Sequence, residues 1–132
     1  MAAAIFNKLA SDRGIDAAAV SAGVAAEDGC PASANAVKAL EKIGLDLSRH
    51  RSQKTSEALF DECFLVVPLS SAHAAFLIRQ GCPQSKIFLP SVEVNDPFGG
   101  YLDTYEKCRD QIKKLCEEVI DVIEDMNNEN SN

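Results

Sequence analysis

One run constrains this chain more than any other: Cys63-Phe64-Leu65-Val66-Val67, apolar at every position and stopped by Pro68. A strand with one wet face alternates apolar and polar residues, whereas an unbroken apolar run suits a strand covered on both faces. Helical patterns stand on either side of it. Thr55 to Asp61 predicts a short helix capped by Thr55 or Ser56. Ser70 or Ser71 caps another that runs through Arg79 to the break at Gly81 and Pro83. A buried strand between two helices is the repeating unit of a parallel sheet with helices on its faces.

The rest of the chain continues that alternation. Ala2 to Arg13 predicts a helix with Ile5, Phe6 and Leu9 on one face and Gly14 as its stop. Ala18 to Val24 is small and apolar, a candidate strand, and Glu27 to Pro31 is a loop. Ser33 caps a helix to Ile43 whose stripe is Ala36, Val37, Leu40 and Ile43. Lys86 to Leu89 predicts another short strand. The last helix is predicted from Asp103 to Met126, with Tyr105, Cys108, Ile112, Leu115, Cys116, Val119, Ile120 and Ile123 at spacings of three and four. That stripe reads as core, with Cys108 and Cys116 as small buried hydrophobes. The expectation is an α/β fold in one domain over residues 1–126, with a disordered polar tail over residues 127–132.

Composition narrows the partners. The net charge of −7 argues against nucleic acid and anionic membrane, both of which select positive surface. No run approaches the roughly 18 apolar residues of a membrane span. Met1 to Phe6 is too short for a secretory signal and lacks its basic start. Five cysteines are an odd number with no C-x-x-C pair, so free thiols and a cytoplasmic location are expected. Two histidines and no Cys/His cluster predict no metal and no cofactor.

Chemistry concentrates in Val94-Asn95-Asp96-Pro97-Phe98-Gly99-Gly100. Pro97 has no N–H and biases Asp96 away from helical angles. The stretch follows the apolar run Ile87-Phe88-Leu89, so Asp96 is expected on a stiff loop at the C-terminal end of a strand, the edge where open α/β sheets bind ligands. A carboxylic acid held there can protonate a leaving group. The same residues also suit an ordinary Asp-Pro turn before a helix. Arg49, His50, Arg51 and Lys54 make a basic cluster that reads as a solvated loop, and His73 reads as a surface residue.

Together these residues resemble the low-molecular-weight protein tyrosine phosphatases, in the branch that includes bacterial protein arginine phosphatases. The likeness rests on Met1 to Phe6, Ser21-Ala22-Gly23-Val24, Asp46-Leu47-Ser48-Arg49-His50 and, most specifically, Asp96-Pro97. The continuation Phe98-Gly99-Gly100, with Tyr105 and Cys108-Arg109-Asp110, is closer to the arginine-phosphatase type. The resemblance implies a three-layer, phosphotyrosine phosphatase I-like fold with strand order 2-1-3-4. It implies Asp96 as general acid, Phe98 at the substrate entrance, and Ser21 and His50 as braces of an active-site loop. The implied partner is a phosphorylated protein, carrying phosphotyrosine or phosphoarginine.

One element of the family pattern is not found. The family carries its nucleophile in a loop of Cys, five residues and Arg, just before the first helix. In this chain Cys30 meets Ala36 at that spacing, Cys63 meets Leu69, Cys82 meets Phe88, Cys108 meets Lys114 and Cys116 meets Val122. The expectation is therefore an N-terminally truncated chain, with the central first strand and the nucleophile absent and the 132 residues inactive alone. A non-catalytic pseudophosphatase binding module is the alternative. Arsenate reduction, which needs a cysteine relay, ranks below it.

Overall fold

The computed structural model describes residues 1–23, 28–97 and 99–130. Its helices are α1 (Ala2–Asp12), α2 (Ala34–Glu41), α3 (Glu57–Glu62), α4 (Ser71–Arg79) and α5 (Leu102–Asn130), with a 3-10 turn at Gln84–Lys86 before the last. Three begin on a serine whose hydroxyl accepts an orphan amide of the first turn. Ser33 accepts from Ala36, Ser56 from Leu59 and Ser70 from His73.

The main core is built on α5. Its stripe of Tyr105, Cys108, Ile112, Leu115, Cys116, Val119, Ile120 and Ile123 is buried throughout. Ile5, Phe6 and Ala10 of α1 and Ala36, Ala39 and Leu40 of α2 close over it. The alanines at these contacts let the helix backbones come near, and Ile120 and Leu40 are wholly enclosed. A second, smaller cluster joins Phe60 of α3, Leu77 of α4 and Cys82, with Val66 and Ile87 against it.

The expected parallel sheet, of order 2-1-3-4 with its first strand absent, is corrected by the structure. No strand forms among the described residues; three isolated bridges stand in its place. Gly23 and Lys54 pair in parallel, as do Val66 and Ile87, while Pro31 and Arg51 pair antiparallel. The apolar run lies beside Ile87: Val66 donates its N–H to the Lys86 carbonyl at 2.8 Å, and Phe88 donates to the Val66 carbonyl at 3.0 Å. The pairing does not propagate, because Pro68 and Pro90 bring no N–H to extend it. Leu65, Val67 and Leu69 instead lean half-buried on the main core through their side chains.

Candidate active site

The site grows from the N-terminus of α1. Met1 caps that helix without a side-chain hydrogen bond. The first amides of a helix have no partner within it, and with the helix dipole they favour an anion. The next turn fixes the neighbouring chain. Asn7 accepts the Ala19 N–H on Oδ1 at 2.7 Å and returns Nδ2 to the Ala19 carbonyl at 3.1 Å. This two-point clasp holds residues 19–21 alongside the start of α1.

The segment containing Ser21 is held on its other side by the loop after Leu47. Gln53 donates Nε2 to the Ser21 carbonyl at 2.9 Å, and Gly23 donates its N–H to the Gln53 carbonyl at 2.9 Å. Leu47 is buried and its carbonyl accepts the His50 N–H at 3.1 Å, so the imidazole is carried on an anchored turn. Asp46 stiffens that turn by accepting the Ser48 N–H at 2.8 Å, and its carboxyl pKa is lowered first by the Ser48 hydroxyl and then by that N–H. Between α1 and this loop lies a hollow of about 250 Å³ lined by Ala3, Ser21, His50, Arg51 and Gln53, among others. A second, of about 200 Å³, adjoins it and shares Ser21, His50 and Gln53.

The charges that act on His50 are positive although the chain as a whole is acidic. His50 is half-buried, and its pKa is lowered first by burial, then by the positive amino group of Met1 and by Arg51. Arg51 turns its guanidinium onto the His50 carbonyl at 2.8 Å. The Met1 amino group is itself pushed below its ordinary pKa by burial, with Cys108 and Cys116 opposing.

Asp96 is brought to the same end of the molecule. Its loop is pinned at several points: buried Val94 donates its N–H to the Leu69 carbonyl at 2.9 Å, and the Cys108 thiol meets the Asn95 carbonyl at 3.6 Å. Asn35 donates Nδ2 to the Gly100 carbonyl at 3.2 Å, and Gly100 donates its N–H back to the Pro97 carbonyl at 2.8 Å. Gly100 has no room for a side chain, since a Cβ there would stand 2.9 Å from the Pro97 oxygen. Burial pushes the Cys108 thiol up, the Met1 amino group pulls it back, and the Asp96 charge pushes it up again. Cys108 therefore lies within electrostatic reach of both the α1 N-terminus and the Asp96 carboxyl.

Of the residues singled out in the sequence, Ser21 and His50 share the hollow and exposed Asp96 lies at the same helix end. Phe98 falls outside the described residues. Asn7 and Gln53, which hold the site together, carried no signal in the sequence. Each is a single amide whose partner lies far along the chain. Among the described residues no cluster of three His, Cys, Asp or Glu could hold a metal, and no helix is long and apolar enough to cross a membrane.

All five cysteines are free thiols. Burial raises Cys116 to about 12 and also pushes up Cys108 and Cys82. Cys82 is enclosed beside Phe60 and Leu77.

Comparison with known proteins fits this geometry. The family model described as low molecular weight phosphotyrosine protein phosphatase matches residues 1–131. A protein-arginine-phosphatase of Bacillus subtilis (strain 168) is 32% identical over 123 residues, which cover 87% of this chain and 81% of that protein. One from Geobacillus stearothermophilus is 26% identical, covering 79% and 75%. Among solved structures, a low molecular weight protein tyrosine phosphatase from T. tengcongensis superposes with a TM-score of 0.84 at 34% identity, over 91% of this chain and 87% of that one.

These matches correct the expectation of a truncated, inactive chain without a nucleophile. The likeness runs almost end to end in this chain and over four-fifths or more of two of those relatives. A spacing rule applied to single cysteines does not outweigh a match of that extent. Phosphatases of this kind act on phosphorylated protein, so a phosphoprotein is the class of substrate the relationship implies. Matched over residues 1–131 and more than 30% identical to a relative it largely spans, the chain belongs to the low molecular weight phosphotyrosine protein phosphatase family.

Proposed function

We propose that this protein removes phosphoryl groups from arginine or tyrosine side chains of other proteins, with phosphoarginine preferred. One arrangement carries the reading: the Ser21–His50 hollow lies against the start of α1, and the Asp96 loop packs on Cys108, which feels both the Met1 amino group and the Asp96 charge. The phosphoryl oxygens sit at the α1 amides, where the helix dipole and Arg51 offset their charge. His50, its pKa lowered, orients through hydrogen bonds rather than through charge. A cysteine thiolate takes the phosphoryl group, and Asp96 gives a proton to the leaving nitrogen or oxygen. Asp96 then activates the water that hydrolyses the phosphocysteine. The family resemblance implies Phe98 at the substrate entrance. The arginine preference is supported by Phe98-Gly99-Gly100 and by the two relatives named as arginine phosphatases.

Two measurements test this. A protein bearing phosphoarginine and a phosphotyrosine peptide are offered to the full chain, with phosphate release as the readout and intact mass after rapid quenching to find the thiol that gains a phosphoryl group. Asp96→Asn is expected to lower turnover about 10²–10⁴-fold, the usual contribution of a general acid. Turnover unaffected by Asp96→Asn, or insensitive to thiol alkylation, overturns the mechanism. Faster release from the phosphotyrosine peptide overturns the preference alone.

A further inference from the structure

Cys63 and Cys82 stand apart from the site at the α1 N-terminus. Cys63 closes α3, and Cys82 follows α4 just before the 3-10 turn. Phe60 joins them. Its ring packs with Cys82 and Leu77, while its carbonyl accepts the Cys63 N–H at 3.3 Å and Lys86 Nζ at 2.8 Å. The Val66–Ile87 bridge then ties together the two segments that follow the cysteines. Their exposures differ: Cys63 is half-buried, whereas Cys82 is 3% exposed. Burial pushes the Cys82 thiol up, Lys86 opposes it, and Cys63 is near enough to push it further up.

The geometry points to Cys63 and Cys82 as a peroxide-reactive thiol pair, in which Cys63 meets the oxidant at the surface and Cys82 resolves it by closing an intramolecular disulfide. The Cys63 thiolate attacks one oxygen of hydrogen peroxide. An S–O bond forms, the O–O bond breaks, and the hydroxide released is protonated to water, leaving a sulfenic acid. The Cys82 thiol gives up its proton, helped by the Lys86 ammonium, and its thiolate attacks the Cys63 sulfur. The S–S bond forms as the S–O bond breaks, and the second hydroxide takes up a proton to become water. Two thiols and one peroxide yield one disulfide and two waters, with both electrons passing from sulfur to oxygen. Burial shields Cys82 from direct oxidation, which suits it to the second step.

The test treats the dilute full chain with hydrogen peroxide, then unfolds it, alkylates the remaining thiols and maps the peptides by mass. The expected product is a monomer about 2 Da lighter, with one linked peptide pair containing Cys63 and Cys82 that a dithiol reverses. In Cys63→Ser, Cys82 is expected to stay alkylatable after the same treatment. The proposal is overturned if the wild-type chain links a different pair, or if Cys63 proceeds to sulfinic acid while Cys82 remains a free thiol. The wild-type map decides by itself, so poor folding of a variant leaves the test intact.

Discussion

Single residues set the electrostatics of this protein. His50 meets burial, the Met1 amino group and Arg51, all of which disfavour its charged form. Its folded pKa lies below 6.5. Between that folded value and 6.5 the unfolded chain binds more protons. The stability from neutral His50 is therefore fully present above pH 6.5 and is lost as pH falls through the folded value. An NMR titration of the imidazole is expected to give a midpoint below 6.5, with stability declining as pH falls from 6.5 through that midpoint and levelling off below it. A midpoint at or above 6.5 would show that His50 is neither desolvated nor in a positive field. The sequence displayed His50 inside the basic cluster Arg49-His50-Arg51, which reads as a solvated loop. It could not show that Leu47 anchors the turn or that α1 brings a positive end to it, because both are contacts between distant segments.

At the scale of elements, local chemistry was readable and pairing was not. α2, α3 and α4 begin where serine caps place them, since a cap and its amide are three residues apart, whereas α5 runs on to Asn130, beyond the expected end at Met126. Tertiary contacts chose between adjacent candidates. Thr55 is drawn off to donate its hydroxyl to Gln80, leaving Ser56 as the cap. Ser71 donates its hydroxyl to Glu93 at 2.9 Å, leaving Ser70. The stripe of α5 carries the largest share of the core, so truncation within it is expected to cost most. Ile120→Ala should lower unfolding free energy by about 2–5 kcal/mol in a urea titration. Exposed Lys113→Ala on the same helix should stay within about 0.5 kcal/mol. Equal losses in the two variants would remove α5 from the centre of the fold.

Across the whole molecule, helices form the frame, and the extended segments lean on it without a ladder. Val66 and Phe88 donate backbone hydrogen bonds, whereas the N–H groups of Leu65 and Val67 make none to other backbone groups of the described residues. Hydrogen exchange is therefore expected to be slower at the Val66 and Phe88 amides than at Leu65 and Val67. Uniform protection across the four would mean that a ladder forms after all. The apolar run at Cys63–Val67 correctly announced a segment that seeks cover. It was misread as a strand in a sheet because hydrophobicity specifies burial, whereas a ladder also needs a neighbour in register with free donors and acceptors.

What the sequence determined by itself was local and periodic. It placed the helices, the α5 stripe, the Asp96-Pro97 loop and the family likeness, because each depends on residues within a turn or two of one another. Tertiary structure decided the rest. It joined Ser21 and His50 in one hollow, brought Asp96 to the same helix end, set positive groups against His50 in an acidic chain, and tied Cys63 through Phe60 to the cluster that holds Cys82. The reason is physical. Burial, field and register arise from groups dozens of residues apart, and only the packed chain fixes the distances between them.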